Sequence, residues 1–267
     1  MKPFLKWAGN KYRIVDPIKS RLPEGSRLIE PFAGAAAVFL NTDFPSYLIA
    51  DNNSDIIRLY RCLQREGIRF IRYCHAFFTP ENNARDRYLT FREEFNITKN
   101  RRRKAALFLY LNRHGFNGLC RYNASGIYNV PFGQYSRPYF PEREMLHFWE
   151  KSCRAVFVCA DFSTTMKKAR QGDVVYCDPP YVPLSATANF TAYSAGGFTS
   201  MQQVRLGKLA GHLASKGIPV LISNHATPTI LAQYENAECA VIPVRRSISC
   251  DGTNRHPVDE VLALFRK

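Results

Sequence analysis

The two ends of the chain share one pattern of short apolar runs broken by turns. RLIE (27–30) and YLIAD (47–51) are two such runs, and between them GAAAVFLN (34–41) reads as the start of a helix. Strand, glycine turn, helix, strand is the pattern of a βαβ unit. VFVCAD (156–161), VVYCD (174–178), VLISNH (220–225) and VDEVLALF (258–265) repeat the strand signal later in the chain. SMQQVRLGKLAGHLASKG (200–217) is a helix ending at Gly217, a plausible stop. Residues 54–141 read differently. SDIIRLYRCLQREGIRFIRYCHAFF places apolar residues at three- and four-residue spacing, and RRRKAALFLYLN (101–112) is a second helix. From His114 to Phe140 the chain turns rich in Gly, Asn, Tyr, Phe and Pro. The pattern predicts an α/β sheet domain built from residues 1–53 and 142–267. A smaller, mainly helical domain is inserted at 54–141.

Length and composition allow this division. The 267 residues are 46% apolar, enough for one large core or two modest ones. No run approaches the roughly 20 apolar residues of a membrane helix. The N-terminal MKPFLKWAGNK has no apolar stretch of the kind that marks a signal peptide. None of the eight Cys forms a C-x-x-C pair or shows zinc spacing with His, so reduced core cysteines and no metal are expected.

Charge adds a partner. Lys and Arg number 37 against 22 Asp and Glu, a net charge of +15. Sixteen of those cations and six of the acids fall within 54–141, so the insert carries +10 of the +15. Such an excess suits a polyanion, and it equally suits a basic surface that only keeps a protein soluble. The insert therefore looks like a nucleic-acid-facing unit.

Two features suggest a nucleoside pocket. Glu30-Pro31-Phe32-Ala33-Gly34 lies between the first strand and a helix, where open α/β sheets bind ligands and a glycine lets backbone approach closely. It lacks the G-x-G-x-x-G of ordinary dinucleotide sites. Asp51 ends the next strand, 17 residues after Gly34, and can accept both hydrogen bonds of a ribose diol. Either feature alone fits a tight turn or a helix cap; together they favour a nucleoside. Near the N-terminus, FLKWAGNK offers Trp7 and, in Lys11, a charge for a methionine carboxylate.

The chemistry concentrates at Asp178-Pro179-Pro180-Tyr181, directly after a strand. A match of this kind arises by chance in roughly one chain in a hundred of this length. An adenine amino nitrogen is a poor nucleophile because its lone pair is delocalised into the ring. Two acceptors on its N–H bonds draw it toward tetrahedral geometry. Asp178 supplies a carboxylate, and the carbonyl of Pro179 could supply the second acceptor. The prolines stiffen the loop, so both are held in place beforehand. Tyr181 offers a flat face for a base. With a sulfonium as methyl donor, the remaining task is in-line positioning. A base within a duplex must first be flipped out.

These residues together resemble the Dam family of DNA adenine methyltransferases, with motifs in the α-class order. The resemblance spans FLKWAG (4–9), EPF-AGA (30–35), FLNTDF (39–44), FREEFN (91–96), LFLYLNR (107–113), NGLCRYN (117–123), NVPFG (129–133), PYFPE (138–142), YCDPPY (176–181), PLSATANFTAY (183–193), ISNH (222–225) and RRSIS (245–249). It implies a Rossmann-like S-adenosylmethionine-dependent methyltransferase sheet, with a target-recognition insert carrying a β-hairpin within 115–136. It implies methyl transfer from S-adenosyl-L-methionine to adenine N6 in double-stranded DNA, in GATC, leaving S-adenosyl-L-homocysteine. Cofactor contacts are implied at Trp7, Lys11, Asp51 and Asp178, with Phe32, Asp161 and Phe162 lining the cleft. On DNA, Arg121 is implied to meet the outer guanine, Leu119 and Pro131 a thymine methyl, Lys6 the first guanine and Asn117 the orphaned partner base. A monomer without an obligate protein partner, in the cytoplasm, is expected.

Three positions depart from the family pattern. Asn10 replaces a glycine, and tolerates positive φ better than most residues if the site needs it. Phe116 replaces the inserting Tyr, and Gln134 replaces an Arg, which removes a phosphate contact. Two other readings stay open: a DNA-binding relative without catalysis, and a methyltransferase acting on RNA or protein. Asp178 rather than Asn leans away from glutamine methylation.

Overall fold

The structure is a computed structural model, and it describes residues 1–181, 198–244 and 258–267. The segments 183–193 and 245–249 of the resemblance lie outside the described residues.

Among the described residues, seven strands form one sheet: β1 (Arg27–Glu30), β2 (Ser46–Asp51), β3 (Ala155–Cys159), β4 (Asp173–Cys177), β5 (Val220–His225), β6 (Glu238–Val244) and β7 (Val258–Phe265). Their order is β3-β2-β1-β4-β5-β7-β6. The first five run parallel, and β7 lies antiparallel to both β5 and β6. This is the Rossmann-like sheet expected. The order reverses between β1 and β4, so the carboxyl ends of these two strands flank the crevice where such sheets take ligands.

The central strands β1, β2, β4 and β5 read as continuous apolar runs because both faces are covered. Alternate residues go to opposite sides. Leu28, Tyr47, Ile49, Tyr176 and Leu221 join one core cluster, and Ile29, Leu48, Val175, Cys177, Val220 and Ile222 join the other. The first cluster is covered by α3 (Ser54–Glu66), α4 (Ile68–His75), α5 (Arg85–Ile97), α6 (Arg101–His114) and α7 (Glu142–Ser152). The second is covered by α8 (Phe162–Met166), α9 (Ser200–Ser215) and α10 (Pro228–Gln233). Two short helices complete the N-terminal part, α1 (Val15–Arg21) and α2 (Ala37–Asn41).

Helix α3 packs against β2 and β3 on one side and α6 on the other, so one core runs through the sheet and the helical segment. The long periodic stretch beginning at Ser54 is two helices, not one. Gly67 ends α3 and starts α4 with φ 52° and ψ −126°, a conformation that disfavours a side chain. A Cβ there would lie 2.4 Å from the Trp149 ring. Gly67→Ala is therefore expected to destabilise the fold by about 1–3 kcal/mol or more, read as a lower denaturant midpoint.

Several elements escape the sequence pattern, α5 and β6 among them. Helix α5 buries Tyr88, Phe91 and Phe95, aromatics scattered through a highly charged stretch. Among the described residues strand β6 pairs only with β7, and it carries Pro243, which an edge strand tolerates. Helix α9 starts with a reciprocal cap between Thr199 and Gln202 and stops at Ser215, two residues before Gly217 at φ 77°.

Candidate active site

The turn after β1 and the loop after β4 face each other across a cleft at the switch point. Trp7, Lys11, Phe32, Gly34, Asp51, Asp161, Phe162, Asp178, Pro179, Pro180 and Tyr181 all line it. Every residue expected at the cofactor or the catalytic loop thus meets in one place.

The floor of the cleft is a constrained turn. Gly34 has φ 44°, and a Cβ on it would come within 2.9 Å of Trp7 Nε1. Its N–H donates to Asp51 Oδ2 at 2.9 Å, and Asn53 N donates to Asp51 Oδ1 at 2.8 Å. Tyr60 Oη donates to the Gly34 carbonyl. Asp51 is thereby locked at the end of β2 with both oxygens in use. Burial raises its carboxyl above the usual range, and these backbone N–H groups oppose the rise.

One wall is aromatic. Phe32 and Phe162 stack at 5.3 Å between centroids, and Phe198 meets both edge-on at 5.7 and 5.8 Å. Asp161 caps α8 by accepting from Ser163 N and Oγ, which fixes where Phe162 points.

The opposite wall is polar and buried. Lys11 is only 4% exposed. Its ammonium lies 3.1 Å from Asp178 Oδ1 and 3.6 Å from Glu260 Oε2, and it donates to Gly9 O and to Tyr181 Oη. Lys11 lines the cleft as expected, but its charge already has protein partners. Ser223 on β5 donates to the same Asp178 Oδ1 at 3.2 Å and pairs with Tyr176 Oη at 2.9 Å. Both protein donors thus converge on Oδ1, and Oδ2 has no protein hydrogen bond among the described residues. Burial raises the Asp178 carboxyl to about 6; Lys11 pulls it down and Glu260 pushes it further up. Glu30, at the end of β1, also lines the cleft, its Oε1 unpartnered among the described residues, and burial raises its carboxyl to about 8.

Tyr181 turns its hydroxyl inward to Lys11. Its ring meets His225 at 4.1 Å and the Lys11 ammonium at 4.5 Å. Asn10 is extended at φ −60°, and the positive φ falls on Gly9 instead. Its side chain accepts from Tyr12 N and donates to Trp7 O, so asparagine here is a cap.

The segment expected to read DNA is pinned at intervals. Gly115 bridges Phe132 and Tyr122 bridges Tyr128, both antiparallel, in place of a continuous ladder. Phe116 is 48% exposed, and its N–H donates to Pro131 O. Asn117 and Gln134 hold positive φ, at 51° and 54°. Leu119 is half-buried against the core. Arg121 is exposed and donates to Asn129 Oδ1 and O. Lys6 packs on Gly118, its ammonium 3.7 Å above the Tyr135 ring, and burial lowers it to about 8.

The charge of 54–141 is less free than its count suggests. Arg58, Arg65, Arg102 and Arg103 pair with Asp55, Glu66 and Glu94. Arg61, Arg92 and Arg113 donate to main-chain carbonyls. Many of these arginines hold the helices together. Sequence reasoning assigned no role to Ser223, Glu260, Phe198 or Gln202, though ISNH was visible as a motif. No group of three or more His, Cys, Asp or Glu placed to hold a metal occurs among the described residues, and none of the described helices is long and apolar enough to cross a membrane.

The family model described as D12 class N6 adenine-specific DNA methyltransferase matches residues 7–248. The chain is 52% identical over 265 residues to the DNA adenine methylase of Escherichia coli strain K12, covering 99% of this chain and 95% of that one. It is 52% identical over 266 residues to the DNA adenine methylase of Serratia marcescens, with 99% and 98% covered. It is 49% identical over 265 residues to that of Vibrio cholerae serotype O1, with 99% and 96% covered. With the sheet order, the switch-point cleft and Asp-Pro-Pro-Tyr at its rim, the match leaves one assignment: the chain belongs to the D12 class of N6 adenine-specific DNA methyltransferases.

Proposed function

We propose that this protein transfers a methyl group from S-adenosyl-L-methionine to N6 of adenine in GATC sites of double-stranded DNA, after flipping the base into the cleft. The observation that carries the reading is the arrangement around Asp178. Lys11 and Ser223 hold Oδ1, which leaves Oδ2 at the cleft as a ready acceptor.

The cleft fits the cofactor. Asp51 is fixed where a ribose diol would bind, the Gly34 turn admits close approach of backbone, and the Phe32, Phe162 and Phe198 wall suits a purine ring. When bound, S-adenosyl-L-methionine would supply a methyl group already activated on a sulfonium, and the proton that N6 then gives up would pass by way of the Asp178 carboxylate to solvent. Asp178 Oδ2 accepts one N6–H hydrogen bond, and the Pro179 carbonyl accepts the other. Pro180 stiffens the loop, and Tyr181 lies beside the base. Trp7 and Lys11 close the near wall, and Asp161 holds Phe162 in place.

On the DNA side, Arg121 reads the outer guanine, Leu119 and Pro131 contact a thymine methyl, and Lys6 reaches the first guanine. Phe116 enters the stack, with Asn117 beside the orphaned base. Gln134 sits where a phosphate contact is weakened. Residues 54–141 form the target-recognition unit, and 1–53 with 142–267 the catalytic one.

Expression in a host lacking GATC methylation tests this. Genomic DNA is expected to become resistant to the enzyme that cuts only unmethylated GATC. Full cutting, with methyl groups absent from adenine, would refute the reading.

A further inference from the structure

Glu260 has no part in the reading so far. It lies on β7, directly opposite His225 in the ladder with β5, and is only 9% exposed. Among the described residues its Oε2 accepts no hydrogen bond, yet it stands 3.6 Å from Lys11 Nζ. The same ammonium is 3.1 Å from Asp178 Oδ1. A half-buried and a buried carboxylate therefore divide one buried cation. Burying a second acid here costs stability. If Lys11 closed on Asp178 alone, it would hold that carboxylate ionised but weaken it as an acceptor, because an acceptor's strength falls with its basicity.

We propose that Glu260 is a positioning residue that holds the Lys11 ammonium between two carboxylates and so leaves Asp178 a stronger acceptor for the amino hydrogen. The inference rests on Asp178 being the N6–H acceptor. Several other groups belong to the same electrostatic environment. Glu30 comes from β1, Tyr176 and Cys177 from β4, Tyr181 from the loop, and His225 on β5 lies against the Tyr181 ring. Among the described residues, Glu260 is the carboxylate that contacts Lys11 directly besides Asp178, and it raises Asp178 where Lys11 lowers it.

Removing the Glu260 charge hands Lys11 wholly to Asp178. In the Glu260→Gln variant, the acidic limb of the kcat–pH profile on unmethylated genomic DNA is expected to move down by about one pH unit. The value of kcat above the limb is expected to fall roughly tenfold, with KM for the cofactor and Kd for DNA unchanged. Glu260→Asp keeps the charge and is expected to hold the limb near the parent position, which also covers the case of a Gln variant that fails to fold. A limb that stays put in Gln, or moves equally in Asp and Gln, overturns the proposal. Asp178→Asn, run alongside, separates the two readings. If that variant turns over normally, the assignment of Asp178 is wrong. If it is dead while the Glu260→Gln limb is unmoved, only the role of Glu260 is wrong.

Discussion

Asp178→Asn is expected to lower kcat by about 10²–10⁴-fold while DNA binds within a few-fold of normal. The substitution keeps the shape of the side chain and removes the charge. In the native site Oδ1 is held by Lys11 and Ser223, so Oδ2 is the oxygen at liberty to accept from a substrate amino group. An asparagine must satisfy Lys11 with its carbonyl oxygen, because an ammonium offers only donors. Its NH2 then occupies the place of Oδ2 and presents donors to an amino group that is itself a donor. The change both removes an acceptor and adds a repulsion. Burial raises the native carboxyl to about 6, against Lys11. The acceptor form is the ionised one, so native activity should fall as pH drops through that value and level off above it. The Asn variant should lose that limb along with its rate. Single-turnover transfer of labelled methyl groups across this pH range checks both. Near-normal turnover with an unaltered limb would remove Asp178 from the mechanism.

The catalytic loop was readable because its chemistry is contiguous. Strand, acid, two prolines and an aromatic lie in one stretch, and the chain itself sets their spacing. The cofactor turn was readable for the same reason: Gly34 and Asp51 belong to one βαβ unit, and the structure joins them by a hydrogen bond. Ser223 and Glu260 come from β5 and β7, brought beside Asp178 by sheet pairing. No local pattern marks a residue whose partner is supplied from about 250 residues away, as Lys11 is for Glu260. Charge was a coarser guide. A count of cations over 54–141 does not distinguish an arginine facing a phosphate from one like Arg103, which grips Glu94 and lies 4.5 Å over Phe77. Helix α5 was missed because its core face is built of aromatics, and β6 because an edge strand with a proline gives little alternation.

Arg121→Ala is expected to relax recognition at the outer base pair, costing about 1–3 kcal/mol of discrimination while leaving transfer chemistry intact. The native guanidinium is already oriented. Nε donates to Asn129 Oδ1 at 2.8 Å and one terminal nitrogen donates to Asn129 O at 3.0 Å. Of the five N–H donors, two are engaged by the protein and the rest remain for a ligand. A fork held in this way loses little freedom on meeting the O6 and N7 of a guanine. The loop beneath it is anchored as well. Tyr122 Oη donates to Asp55 Oδ2 on α3 at 2.8 Å, and Tyr128 Oη donates to Leu119 O at 3.1 Å. Truncating Arg121 should therefore remove a base contact without loosening the segment. The readout is the ratio of kcat/KM on GATC duplexes to kcat/KM on duplexes altered at the outer pair. That ratio should shrink toward unity in the variant, with kcat on the best substrate nearly preserved. A uniform loss on all duplexes, with the ratio unchanged and a shallower salt dependence, would instead place Arg121 on a phosphate. Its tether to Asn129 would then position a backbone contact, and the guanine would have to be read by another side chain.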